Sequence, residues 1–222
     1  IIDTLHLVDV VFAAEKLKSS PYMTEEIYTG LKRWFARYLG WMLTDVNGIQ
    51  EMNKDNNHGV CFFVQAAAFA RFTDNERIVD FCRDYYKKGL LKQEADDGSF
   101  PRELGRTKPY NYSIFVVDNM VSLCHILSLP EDNLWEYISP DGKSIVKALD
   151  FITPYLLDKE SWAYPPDVMH FDAFPARHGF LFLAGCTMGI KKLLDLYDSL
   201  PPESLDEEAR RNIASRQPML WV

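Results

Sequence analysis

The chain has 222 residues, a formal net charge of −8, and 47% hydrophobic and 14% aromatic residues. That length and apolar share are enough for one domain with a sizeable core, and ordinary Gly and Pro levels argue against disorder. An acidic chain without a basic stripe is a poor partner for nucleic acid. No apolar run approaches the roughly 20 residues that span a bilayer, so a membrane is not an expected partner either.

The opening text, "IIDTLHLVDVVFAAEKL", has apolar residues at helical spacing over about 3–18. It begins without Met, a basic n-region or a cleavage site, and reads as the middle of a helical protein. The 222 residues are therefore expected to form the C-terminal part of a larger single domain. Thr24 precedes "EEIYTGLKRWFARYLGWML" as a helix cap, giving a helix over 24–44. Trp34, inside that apolar pattern, is expected to pack in the core.

A polar loop, "TDVNGIQEMNKDNNHG", follows over 44–59, then helices over 59–72 and 75–94. A second loop, "EADDGSFPRELGRTKPYNYS" (94–113), leads into a helix over 112–127, and Ser144 caps another over 144–157. The third loop, "DKESWAYPPDVMHFDAFPARHG" (158–179), precedes helices over 174–198 and 205–215. Helix starts near 3, 59, 112 and 174 recur at roughly 55-residue intervals, which suits a repeated αα-hairpin. The expected fold is all-α, an array of αα-hairpins.

Loops this long in a helical domain usually carry function. Each precedes the first helix of a hairpin, so in a curved array the three gather on one face. Cys61, Cys82, Cys124 and Cys186 show neither CxxC pairing nor zinc spacing and are read as buried thiols.

Two loops hold residues that suit one reaction. "NNHG" supplies Asn57 and His58, while the second loop supplies Arg102, Arg106, Lys108, Tyr110 and Tyr112. Amide, imidazole and guanidinium groups can hold a sugar carboxylate and stabilise the enolate-like charge that develops when the adjacent C5 proton leaves. A tyrosine flanked by cations can take that proton and return one to the departing O4. Asn56 would then cap the helix while Asn57 and His58 face the groove.

The stretches "DNNHGVCFFVQ" and "DGSFPRELGRTKPYNYSIF" resemble the alginate lyase superfamily of α/α-toroid polysaccharide lyases. The later "YPPDVMHFDAFPARHGFLFLAG" and "RQPMLWV" look like the end of that family's domain. The resemblance implies a lyase that cleaves a polyuronate, mannuronan (alginate) or glucuronan, by β-elimination. It assigns Asn57, His58 and Arg106 to the carboxylate and Tyr112 to base and acid, with Tyr110 the weaker candidate. It also implies an anionic polysaccharide as partner, no metal or other cofactor, and a place outside the cytoplasm, secreted or periplasmic. Arg102, Trp162, His170 and His178 are further candidates for binding substrate. The chain departs from the family pattern at Val60, Cys61, Phe62 and Phe63, where Thr-Trp-Tyr-Asp is frequent, and at Phe100, where Gln is common. Four hairpins leave the toroid incomplete, so a second chain or segment is expected to complete it.

Two rivals stand beside this reading. Asp96 and Asp97 could serve an α/α-barrel glycoside hydrolase, although a "DDGS" turn explains them more simply. A non-catalytic glycan-binding or scaffold protein derived from a lyase would keep the fold and lose the chemistry. Asn111-Tyr112-Ser113 is a glycosylation acceptor pattern, and a glycan there would crowd Tyr112.

Overall fold

A computed structural model describes all 222 residues. The chain is all-α, and its hairpins stack side by side. The order is α1 (Leu7–Leu17), α2 (Glu25–Thr44), α3 (Val46–Met52), α4 (Asn57–Phe72), α5 (Glu76–Lys88), α6 (Pro101–Leu104), α7 (Pro109–Leu127), α8 (Ile145–Leu157), α9 (Gly179–Met188), α10 (Lys191–Ser199) and α11 (Glu207–Arg211). None is long and apolar enough to cross a membrane.

Two helices form the spine. In α4 fourteen of 16 residues are buried, and in α7 seventeen of 19. A helix apolar on all sides must be covered on all sides. Accordingly α4 packs against α1, α2, α3, α5 and α7, and α7 against α6, α8 and α9 as well. By contrast α5 buries only Val79, Cys82, Arg83 and Tyr86, and serves as an outer helix with one apolar face.

Starts and stops follow local chemistry. Thr24, Asn56, Asn75 and Ser144 each accept a backbone N–H of the first turn. Pro101 and Pro109 sit in the first turns of α6 and α7, where no N–H is needed.

Four expectations change. The region 174–198 is not one helix: residues 174–178 are extended or irregular, and Gly189, at φ +68°, ends α9 before α10 begins. The loop 44–59 contains the two-turn helix α3, capped by Asp45. Trp34 does not enter the core. It is 44% exposed, on the outer face of α2 beside Tyr38. Of the four thiols three are buried, but Cys186 is exposed.

Deep in the fold, Asp118 of α7 accepts the Ala214 N–H at 2.9 Å and lies 3.0 Å from His178 Nδ1. Both side chains are fully buried. This pair fastens the start of α9 and the C-terminal segment to the spine. His178 is therefore an internal anchor, which corrects its expected place in a substrate groove.

Glu94, 3% exposed, accepts the Ser144 N–H at 3.1 Å, and burial raises its pKa from 4.5 to about 7. A raised carboxyl contributes stability that is complete below the unfolded value and is lost as pH rises through the folded value. Urea unfolding between pH 5 and 8 should show Glu94→Gln gaining on the parent as pH rises. A difference independent of pH would sink this account.

Candidate functional site

The N-terminal ends of α4 and α7 meet the three long loops. Asn56 caps α4, its Oδ1 accepting the His58 N–H at 3.1 Å. Gly59 has a steric reason: a Cβ there would stand 2.0 Å from the Lys54 carbonyl oxygen. The loop before α4 thus lies directly on its first turn, and glycine permits the approach.

Asn57 faces inward at 1% exposure. Its backbone N–H donates to Glu103 Oε1 at 2.6 Å, and its Nδ2 donates to Glu103 Oε2 at 2.5 Å. Glu103, on the single turn of α6, is equally buried. Burial pushes its carboxyl above the ordinary value, against the opposing pull of the two Asn57 hydrogen bonds and the Arg106 charge. Arg106 Nη1 lies 3.9 Å from Glu103 Oε2, and its guanidinium carbon sits 4.2 Å from the Tyr112 ring centroid. Lys108 Nζ is 5.3 Å from the same centroid and pairs with Glu208.

A continuous chain of contacts therefore runs Asn57, Glu103, Arg106, Tyr112. Tyr112 is partly exposed on α7, and its hydroxyl makes no hydrogen bond within the protein. His58, beside Asn57, is partly exposed and has Nδ1 2.7 Å from Glu51 Oε2. With Nδ1 directed at a carboxylate, Nε2 is the nitrogen left for a ligand.

Other candidates fall elsewhere. Tyr110 is fully buried, donates its hydroxyl to the Tyr155 carbonyl at 2.9 Å, and packs edge-on against Trp162 and Phe171. Burial holds its phenol well above the ordinary range. Trp162 is 9% exposed, enclosed by Tyr110, Tyr155 and Tyr164, with Nε1 donating to the Pro165 carbonyl. Neither can be a platform for sugar. Arg102 is exposed and pairs with Asp55 at 2.5 Å. His170, at φ +62°, pairs with Asp206 at 2.8 Å and makes no hydrogen bond to the four residues above.

The third loop does touch the second. Asp167 accepts the N–H groups of Tyr110 and Asn111 at 2.8 and 3.0 Å, and Val168 N–H donates to the Thr107 carbonyl. Asn111 itself is fully buried, so the acceptor pattern is inaccessible in the folded chain. Val60, Cys61, Phe62 and Phe63 are buried as well, and their apolar character serves the core. The Asp96–Asp97 pair is engaged in structure: Asp96 pairs with Lys143, and Asp97 accepts the Ser99 N–H at 3.0 Å.

Sequence reasoning missed two carboxylates. Glu51 lies on α3, which the loop assignment hid, and its signal was the Asp45 cap directly after the last residue of α2. Glu103 sits in a charged loop where an arginine is the obvious local partner, whereas its hydrogen bonds go to Asn57, 46 residues away.

An all-α array of αα-hairpins is an α/α-toroid architecture. The family model described as Alginate lyase matches residues 1–162. The chain belongs to the alginate lyase family. It is similar to the crystal structure of an alginate lyase from Bacteroides ovatus, with a TM-score of 0.79 and 26% sequence identity. That similarity covers 96% of this chain and 57% of the other, so the present chain spans a little over half the length of its structural relative. No curated protein matches the chain.

Removing the Glu103 carboxylate would leave two buried Asn57 donors without a partner. Glu103→Ala should cost about 2–4 kcal/mol of unfolding free energy in a urea titration. A loss below the usual surface-substitution range, about 0.5 kcal/mol, would mean that the bond does not organise the loops.

Proposed function

We propose that the protein is a polysaccharide lyase that cleaves a polyuronate, mannuronan or glucuronan, by β-elimination. The observation that carries the proposal is the contact chain from Asn57 through Glu103 and Arg106 to a partly exposed Tyr112 with a free hydroxyl. His58 Nε2 and the Arg106 guanidinium are suited to hold the carboxylate of the sugar to be cut. Asn57, expected to face the groove, is buried and positions these groups through its bonds to Glu103.

In the reaction, the Tyr112 oxygen removes H5. The C5–H electrons form the C4–C5 double bond, the C4–O4 bond breaks, and the phenol returns the proton to O4. The two positive groups beside Tyr112 and the carboxylate clamp stabilise charge where it develops. One tyrosine serving both ends favours syn elimination. Polymeric substrates of this kind place the enzyme outside the cytoplasm, secreted or periplasmic.

A second reading is a glycan-binding protein derived from a lyase, which would keep the fold and the carboxylate-holding groups without the chemistry.

The test is ultraviolet detection of unsaturated uronate product from mannuronan, guluronan, glucuronan and a pectic polyuronate. Product from one polymer, reduced roughly 10²–10⁴-fold in Tyr112→Phe, is the expected result. Silence on all four, with binding retained, would overturn catalysis by this chain alone and support the second reading.

A further inference from the structure

Next to the contact chain, on the side of α5, lies a cavity of about 420 Å³ that none of its four residues lines. We infer that this cavity is a second acidic-sugar subsite, binding a uronate residue two or more positions along the same polymer from the one held at His58 and Arg106. The inference deepens the polyuronate reading and rests on it.

The volume falls within the range of ligand-holding clefts, roughly 300–1,000 Å³. The wall contains one aromatic ring, that of Tyr85, half-buried and stacked on Phe63 with centroids 4.3 Å apart and planes 12° from parallel. Gly89 makes room for that ring, since a Cβ there would meet it at 2.7 Å. An aromatic face held flat by a partner beneath it suits the apolar face of a pyranose.

Around the ring stand the groups that an acidic sugar needs. Asn53 and Gln93 offer amides for hydroxyls. Lys54, Lys92 and Arg102 offer positive charge, with Asp55 the only acidic residue of the lining. Three cations against one carboxylate leave an excess of two positive charges, in a chain whose net charge is −8. Arg102 is paired with Asp55, whereas Lys54 and Lys92 pair with no carboxylate of the protein. Two unpaired ammonium groups beside a stacked ring select for carboxylate over neutral sugars.

The cavity shares both of its loops with the proposed site. Asp55 lies two residues before Asn57, within about 7.6 Å along the chain, and Arg102 directly precedes Glu103. The Lys54 segment is fixed by its carbonyl packing on Gly59. One polymer can therefore run from His58 and Arg106 into the cavity along the two loops.

The experiment uses the full chain carrying Tyr112→Phe, so that ligand is not consumed. Calorimetry would compare it with the same chain carrying Lys54→Gln and Lys92→Gln. The probes are mannuronate and glucuronate oligosaccharides of two to six residues, with cello-oligosaccharides as neutral controls. For four residues or more, the two substitutions should weaken binding about tenfold and make it less sensitive to salt. Disaccharides, too short to reach both places, should lose little. Unchanged affinity at every length, equal affinity for neutral oligosaccharides, or no uronate binding by the parent would each overturn the inference. Unsaturated product from the chain with Tyr112 intact, together with unchanged affinity in the calorimetry, would sink the subsite and leave the lyase standing. Lysine-dependent binding, with no product from the chain with Tyr112 intact, would do the reverse.

Discussion

The hydrogen bonds between Asn57 and Glu103 join two loops 46 residues apart, and the rest of the site hangs from that joint. A buried carboxylate is costly unless donors surround it. Here burial prevails over every favourable contact, since Glu103 still binds its proton more readily than an ordinary glutamate. The second loop is thus stable only where the start of α4 brings its N–H groups. Once Glu103 is seated, Arg106 follows three residues later, beside the same carboxylate and over Tyr112. The position of a surface ring on α7 is coupled through one buried acid to the first turn of α4.

The electrostatics follow from how helix starts are used. The N-terminus of α7 would be a natural place for an anion, because its first N–H groups are unpaired and its dipole is positive there. Asp167 already occupies it, accepting from Tyr110 and Asn111. The backbone donors are spent on binding the third loop, so any anionic ligand must depend on side chains. Arg106, Lys108, Lys54, Lys92 and Arg102 supply them in a chain that is acidic overall. Diffuse charge is screened over roughly 8–10 Å at moderate salt, whereas cations in direct contact are not. The net charge and a local affinity for anions are therefore compatible.

Much of the frame was legible because it depends on short-range rules. The spine helices follow from apolar runs, and the caps at Thr24, Asn56 and Ser144 follow from the residue types that compete for a first-turn N–H. What escaped was set by tertiary contact. One turn at Pro101–Leu104 is too short to announce itself by periodicity, and α3 was hidden in polar text. Periodicity also cannot see a left-handed glycine, so 174–198 read as one helix where Gly189 divides it. His178 and Trp162 looked like ligand-binding residues because sugar sites use the same residue types. Each instead has an internal partner, Asp118 for one and the Pro165 carbonyl for the other.

The two tyrosines of "PYNYS" show how helix geometry separates scaffold from chemistry. Residues two apart on an α-helix point roughly 200° away from each other. On α7, covered on nearly all sides, the two therefore meet different neighbours. Tyr110 takes the inner direction, where its hydroxyl is held by Tyr155 and burial keeps its proton on. Tyr112 takes the outer direction, under Arg106 and Lys108, with its hydroxyl free. The first residue fixes the rotation of α7 against the aromatic cluster around Trp162. That rotation leaves the second partly exposed beside Arg106 and Lys108, so the tyrosine that is locked in the interior positions the one proposed to move the proton.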